Sequence, residues 1–311
     1  MRPLDFERPL YDILEKIKEL EIHPSLRHKV EELRRQAEEL RRDIYDNLSR
    51  WQVVQIARHP DRLKAKDYIE AIFEDFVELH GDRLYADDHA IISGVGRIGG
   101  MSVVLIAQEK GSTTTEKIRR NFGMPHPEGY RKAMRMMDVA QKYRMPIITL
   151  VDTPGAYPGI GAEERGQFSA IAYSIRKMLS VRTPTLSYII GEGGSGGALA
   201  IAVADRVFAL QYSIYSVISP EGAASILFRD ASRAPEAAEA LRITARDLME
   251  LGIVDDIVEE PVGGNHWNPS AMLETLREHI IGQITELVSI PMDELLEKRY
   301  EKYRRMGLVS T

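Results

Sequence analysis

The chain has 311 residues, 44 % of them apolar, a formal net charge of −6 and no cysteine. That length and apolar fraction support a sizeable buried core, and the acidic balance argues against nucleic acid or an anionic membrane as the main partner. The absence of cysteine excludes disulfides, thiolate metal sites and a cysteine nucleophile.

Residues 1–60 are charged and free of glycine, and they read as helical. Leu10, Ile13 or Leu14, Ile17 and Leu20 recur at helical spacing. "HPS" at 23–25 breaks that helix, and Ser25 is placed to cap the next one. Val30, Leu33, Ala37, Leu40 and Ile44 then follow a 3-4-3-4 spacing, the seam of a coiled coil. Glu31–Arg35 and Glu38–Arg42 are i, i+4 pairs in the favourable order. A seam this narrow needs a partner surface, either the rest of the chain or a second subunit.

"YIEAIFEDFVELHG" reads as a further helix, closed by Gly81. "HAIISGVGRIGGMSVVLIAQE" reads as two strands about the turn Gly99-Gly100. From residue 127 strands and helices alternate. Helix "PEGYRKAMRMMDVAQKYR" opens with Pro127 at its first position; strand "PIITLVD" leads through "TPGAYPGIGAEERG" into helix "QFSAIAYSIRKML". Strand "PTLSYII" enters the glycine loop "GEGGSGG", followed by the short helix "GALAIAVA" and strand "RVFAL". Helices near 235–250, strand "IVDDIV" and helices near 270–305 complete the pattern of an α/β chain with a mostly parallel sheet. The N-terminal "MRPLDFERPL" lacks the apolar core of a secretory leader, and no run of 18 apolar residues occurs, so a soluble, cytoplasmic protein is expected. The eight histidines have no i, i+4 pair, so no metal site is expected.

Two loops follow strands: 152–166 and 191–197. Carboxyl ends of parallel strands are where open α/β sheets bind ligands, and helix N-termini there offer backbone N–H donors. The second loop fits two motifs. Gly191-x-Gly193-x-x-Gly196 matches a dinucleotide fingerprint, but Gln211 and Tyr212 occupy the region where an acidic ribose partner belongs. A P-loop lysine is missing, since Ala198 follows Gly196-Gly197. Gly193-x-Ser195-x-Gly197 matches the nucleophile elbow of hydrolases, with Asp255 and His279 in the required order, but His279 falls within a helical pattern. Ser195 then reads as a small residue at a crowded turn, or as a helix cap. What remains is an oxyanion hole of backbone donors alone, which needs glycines and a helix N-terminus but no titratable side chain at the loop.

"RRNFGMPHPEGYRKAMRMM" (119–137), "IITLVDTPGAYPGIGAEERGQ" (147–167), "IGEGGSGGALAI" (190–201) and "YSVISPEGAASIL" (215–227) resemble the α subunit of the bacterial acetyl-CoA carboxylase carboxyltransferase, in order over most of the chain. The resemblance implies a crotonase (ClpP-like) spiral of β-β-α units with an N-terminal helical arm. It divides the chain into 1–60, an arm for subunit contact, and 61–311, the carboxyltransferase domain with its C-terminal helices. It also implies an α2β2 assembly with a β subunit that carries the zinc, a biotin carboxyl carrier protein, and biotin carboxylase in the wider ATP-dependent complex. The co-substrates implied are carboxybiotin, delivered by the carrier rather than bound covalently here, and acetyl-CoA; the product is malonyl-CoA for fatty-acid synthesis.

On this resemblance the Gly193–Gly197 backbone is expected to hold the biotin oxygen, with Gly155 and Ala156 shaping the pocket and Tyr157 and Gly159 lining the carboxybiotin slot. Lys117, Arg119 and Arg120, with Arg131 and Lys132, form a basic excess suited to CoA phosphates or an acidic carrier. Glu163 and Glu164 read as first-turn acids of a helix, and Pro220-Glu221 as a helix start. "AQEKG" (107–111) departs from the "GHQKG"-like run usual in the family, at a place assigned no part in the chemistry. The rival reading is a stand-alone crotonase-type acyl-CoA hydratase or hydrolase, which needs a side-chain acid or base such as Glu163 or Glu164.

Overall fold

The computed structural model describes residues 2–307. Two helices, α1 (Arg8–Glu21) and α2 (Arg27–Asp46), form the N-terminal hairpin. The seam residues Val30 and Ala37 are buried against Leu10 and Ile17 of α1 and against Ile56 and Tyr212 of the main body, so the hairpin packs on its own chain. Ser25 caps nothing: it lies in a 3-10 turn, and Leu26 precedes α2 without a side-chain cap. Glu38–Arg42 forms at 3.4 Å, whereas Arg35 turns to Glu39 and Glu31 to Arg27. These helix-surface partners are near-equivalent, and exposed pairs discriminate weakly between them.

Helices α3 (Arg50–Ala57) and α4 (Ala65–Ile72) lead into the sheet. The helix expected through Gly81 ends at Ile72, and Glu74–Glu78 is instead an edge strand, β1, antiparallel to β2 (Ile91–Ile98). Phe73 is already extended, and Gly94 of β2 leaves the space that Phe76 and the Val77 carbonyl fill. Pairing with β2 overrides the helical propensity of an acidic segment, and the charges on β1 suit an edge.

β2 turns through Gly99-Gly100 into β3 (Met101–Gln108) as expected. Helices α5 (Thr114–Arg119) and α6 (Pro127–Tyr143) cross to β4 (Ile147–Thr153). The chain continues through α7 (Ile160–Glu164) and α8 (Gln167–Ser180) to β5 (Thr185–Gly194). Then come α9 (Ser195–Ala202), β6 (Arg206–Leu210), β7 (Ile214–Ser216), α10 (Pro220–Phe228), α11 (Ala234–Leu241), α12 (Ala245–Glu250) and β8 (Asp256–Val258). Two long helices, α13 (Pro269–Val288) and α14 (Met292–Arg305), close the fold.

The sheet order is β1-β2-β3-β4-β5-β6-β8, with β7 paired to the end of β5; pairing is parallel from β3 onward. Alternate residues feed opposite layers. Val103 and Leu105 pack with Tyr68 of α4 and Leu276 of α13, while Val104 and Ile106 pack with Met136 of α6 and Ile201 of α9. Covering both faces of the parallel sheet leaves the strand ends as the place for a site.

Candidate functional site

β4 and β5 are neighbours, so their carboxyl-terminal loops meet. They meet closely: a Cβ on Gly194 would lie 2.1 Å from the Pro154 carbonyl oxygen, and one on Gly197 would lie 2.4 Å from the Ala156 nitrogen. Only glycine at these two positions lets the backbones touch. Gly194 and Gly197 are thus brought against Pro154, Gly155 and Ala156, whereas Gly193 faces the Tyr215 ring and Gly196 faces Ile171. The first turn of α9 begins here, and the first N–H groups of a helix have no intrahelical acceptor.

Ser195 is not the cap; Gly194 precedes the helix, and Ser195 is its first residue, with φ of 52°. That left-handed conformation at a strand–helix join exposes Ser195 as an elbow would, but the triad does not assemble. The Asp255 carboxylate accepts from Val207 N–H and from Lys302, and His279 Nδ1 contacts the Tyr188 hydroxyl at 3.1 Å on the helical layer.

Behind the loops lies a chain of buried charge. Asp152 Oδ1 accepts the Glu192 backbone N–H at 2.9 Å. Lys110 Nζ lies 2.7 Å from both Asp152 Oδ1 and Glu192 Oε1. Arg58, at the end of α3, donates Nε to Glu192 Oε2 at 2.6 Å and Nη1 to Glu221 Oε1 of α10 at 2.6 Å. Gln108 Nε2 donates to the Gly197 carbonyl at 2.8 Å. Burial would push the Glu192 carboxyl up, but Lys110 and Arg58 outweigh it and hold it at about 2. The 107–111 run, assigned no part on sequence grounds, therefore supports the loop through Gln108 and Lys110. Residues 58, 110, 152 and 192 are far apart in the chain, and no local spacing connects them.

A small recess at the glycines is lined by Arg58, Pro154, Glu192, Gly193, Gly194 and Ser195. An apolar cavity of about 300 Å³ adjoins it, lined by Ser195, Gly196, Leu199, Tyr215, Val217 and Tyr303. Tyr157 stacks on His126 at 4.1 Å and covers Gly159, so its ring is committed to loop packing on that side. The three basic residues of 117–120 separate. Arg120 donates to the His89 carbonyl at 2.8 Å, Arg119 approaches the His89 ring, and Lys117 turns to a different recess beside Arg58 and Lys110. Arg131 and Lys132 are not free for a ligand: Lys132 is fully buried on Asp87 at 2.6 Å, and Arg131 pairs with Asp82 at 2.7 Å. Glu163 and Glu164 are exposed on α7. Pro220 and Glu221 start α10, which Ser219 caps.

Among the described residues no three His, Asp or Glu side chains converge as a metal site, and no helix is long and apolar enough to cross a membrane. The start of α9, whose first N–H groups have no intrahelical acceptor, therefore lies beside an apolar cavity.

The fold is shared with the transcarboxylase 12S hexamer, at a TM-score of 0.60 and 20 % identity over 74 % of this chain and 42 % of that one. A Pseudomonas malonate decarboxylase hetero-tetramer gives 0.56 and 18 % identity, over 70 % of this chain and 86 % of that one. The chain is 53 % identical over 308 residues to the acetyl-coenzyme A carboxylase carboxyl transferase subunit alpha of Geobacter metallireducens, covering 98 % of this chain and 97 % of that protein. The same subunit of Pseudomonas paraeruginosa is 52 % identical over 309 residues, covering 98 % of each. The family profile described as acetyl co-enzyme A carboxylase carboxyltransferase-like matches residues 3–307, and the chain belongs to that carboxyltransferase α-subunit family, with its crotonase fold.

Proposed function

We propose that this chain is the half of a carboxyltransferase that holds the biotin oxygen. With a β subunit it moves the carboxyl group of carboxybiotin, a substrate delivered on a biotin carboxyl carrier protein, to acetyl-CoA. The carboxyl–nitrogen bond breaks to release carbon dioxide, and negative charge gathers on the ureido oxygen. The biotin nitrogen takes a proton from the acetyl methyl group. The resulting thioester enolate attacks carbon dioxide, giving malonyl-CoA. Charge appears on oxygen at both steps, so backbone donors at fixed positions lower the barrier without a side-chain acid or base.

The observation that carries this reading is the contact of the two glycine loops at Gly194–Pro154 and Gly197–Ala156. The Gly193–Gly197 backbone supplies the donors, and the cavity past Gly196 takes the apolar body of biotin. Tyr157 and Gly159 edge the slot, and Arg119 and Arg120 meet the carrier's acidic surface. The helical arm, residues 1–60, contacts a second subunit of an α2β2 assembly, while residues 61–311 form the transferase domain. Zinc belongs to the β subunit, biotin carboxylase joins in the wider complex, and the setting is cytoplasmic fatty-acid synthesis.

The test is to mix the chain with its β partner, malonyl-CoA and a biotin derivative and follow malonyl-CoA loss. Activity is expected only with both subunits. Turnover by this chain alone, abolished by Glu163→Gln or Glu164→Gln, would establish the hydratase or hydrolase reading instead.

A further inference from the structure

Beside the glycine loops, on the far side of Arg58 and Asp152, lies a second recess of about 80 Å³. Five cationic side chains line it, Arg58, Arg62, Lys64, Lys110 and Lys117, and Asp152 is its one acidic lining residue. Three of the cations are neutralised by carboxylates: Arg58 by Glu192 and Glu221, Arg62 by Glu260 at 2.6 Å, and Lys110 by Asp152 and Glu192. Lys64 and Lys117 are not. Lys64 is 7 % exposed, and among the described residues its ammonium donates only to the carbonyls of Pro60 at 3.0 Å and Arg62 at 2.6 Å. Lys117 is half-buried on α5 and pairs with no carboxylate among the described residues. Burial pushes the Lys64 ammonium below its ordinary pKa; Asp152 pulls it back up, and Lys110 pushes it further down. A buried ammonium without a carboxylate, beside a second ammonium, is costly unless an anion completes the site.

We infer that this recess is a binding site for the phosphate group, with Lys64, Lys110 and Lys117 as its donors. Lys64 precedes α4, and Lys110 and Lys117 lie on the stretch from β3 into α5, so three ammonium groups from two stretches of chain line one recess, a charge that a phosphate dianion matches better than a singly charged carboxylate. The volume admits one such group. The phosphate of a nucleotide-bearing substrate and free inorganic phosphate share this chemistry. The site does not depend on carboxyl transfer, because its occupancy is read by binding.

The test titrates the full chain with inorganic phosphate against chloride at matched ionic strength, by calorimetry and by thermal unfolding. Saturable binding with a raised Tm is expected. Lys117→Met and Lys64→Met should each weaken it about tenfold or more, as loss of a charge-assisted hydrogen bond does, while Lys142→Met, on the exposed end of α6, changes nothing. Lys117→Met keeps the test decisive if Lys64→Met does not fold. Adenosine 3′,5′-bisphosphate competing in a Lys117-dependent way assigns the site to a nucleotide phosphate; phosphate binding without that competition assigns it to the free ion, and either supports the site. Phosphate binding that is absent, or equal in both lysine variants and the parent, overturns it. So does Lys117-dependent binding of malonate without binding of phosphate.

Discussion

Arg58 and Glu192, 134 residues apart, are joined by a 2.6 Å hydrogen bond from Nε to Oε2. The bond ties the end of α3 to the residue immediately before the glycines. Glu192 is also anchored through its own N–H to Asp152, so the residue before Gly193 is held by both its backbone and its side chain. The N-terminal helical region thus reaches into the site through one side chain.

Arg58→Met removes one of the two cations on Glu192 and the bridge to Glu221. Loop misplacement of the order of an ångström costs about 100-fold in rate. We expect kcat of the assembled transferase to fall about 10- to 100-fold, with the acetyl-CoA KM little changed. Steady-state kinetics of the complex decide it; a KM effect with unchanged kcat contradicts a positioning role.

Gly194→Ala places a methyl carbon 2.1 Å from the Pro154 carbonyl oxygen, far inside van der Waals contact. The two loops must separate, and the donors lose their aim. Loss of one oxyanion donor typically costs about 100- to 1,000-fold in kcat, and a loss of that size is expected here. Circular dichroism and gel filtration with the β subunit should be unchanged. A variant with parental kcat rules out the backbone oxyanion hole.

Glu192 dictates an acid limb of stability. Its folded pKa, about 2, lies below the ordinary 4.5, because Lys110 and Arg58 outweigh burial. A depressed carboxylate stabilises the fold above the ordinary value and loses that contribution as pH falls through the folded one, here between about 4.5 and 2. Lys110→Met raises the Glu192 pKa, so its loss begins at higher pH. Urea unfolding at intervals from pH 6 to pH 3 reads the difference; superposable profiles for parent and variant contradict the assignment.

Ser195 is held at φ of 52°, a conformation that costs a non-glycine residue on the order of 1 kcal/mol. Ser195→Gly should therefore stabilise the protein by about that amount in thermal unfolding. Ser195→Ala should retain most of the exchange activity, because no histidine activates the hydroxyl. Removal of a true serine nucleophile costs about 10⁶-fold, so a collapse of that size restores the elbow reading.

Much of the architecture was legible before folding. The β2–β3 turn at Gly99-Gly100, helix α6 with Pro127 at its start, and the loops after β4 and β5 all follow from local periodicity and turn chemistry. The failures share one cause. β1 looked helical because its acidic residues favour a helix locally, and only Gly94 across the sheet makes room for the strand. Arg131 and Lys132 looked like free surface charge because Asp82 and Asp87 lie some fifty residues away in the chain. Gln108 and Lys110 looked peripheral because their partners, Gly197 and Glu192, follow more than 80 residues later.

The sequence by itself determined β4, β5, β6, α6, α8 and α9, though not the short β7 beside the glycines, and that two glycine loops follow strands, because hydrophobic period and backbone freedom are local properties. Only the tertiary structure decided that the loops touch, that Arg58 and Lys110 clamp Glu192 behind them, and that Ser195 stands without its triad. Each of these depends on which strands become neighbours, and that is settled by burying both faces of one sheet.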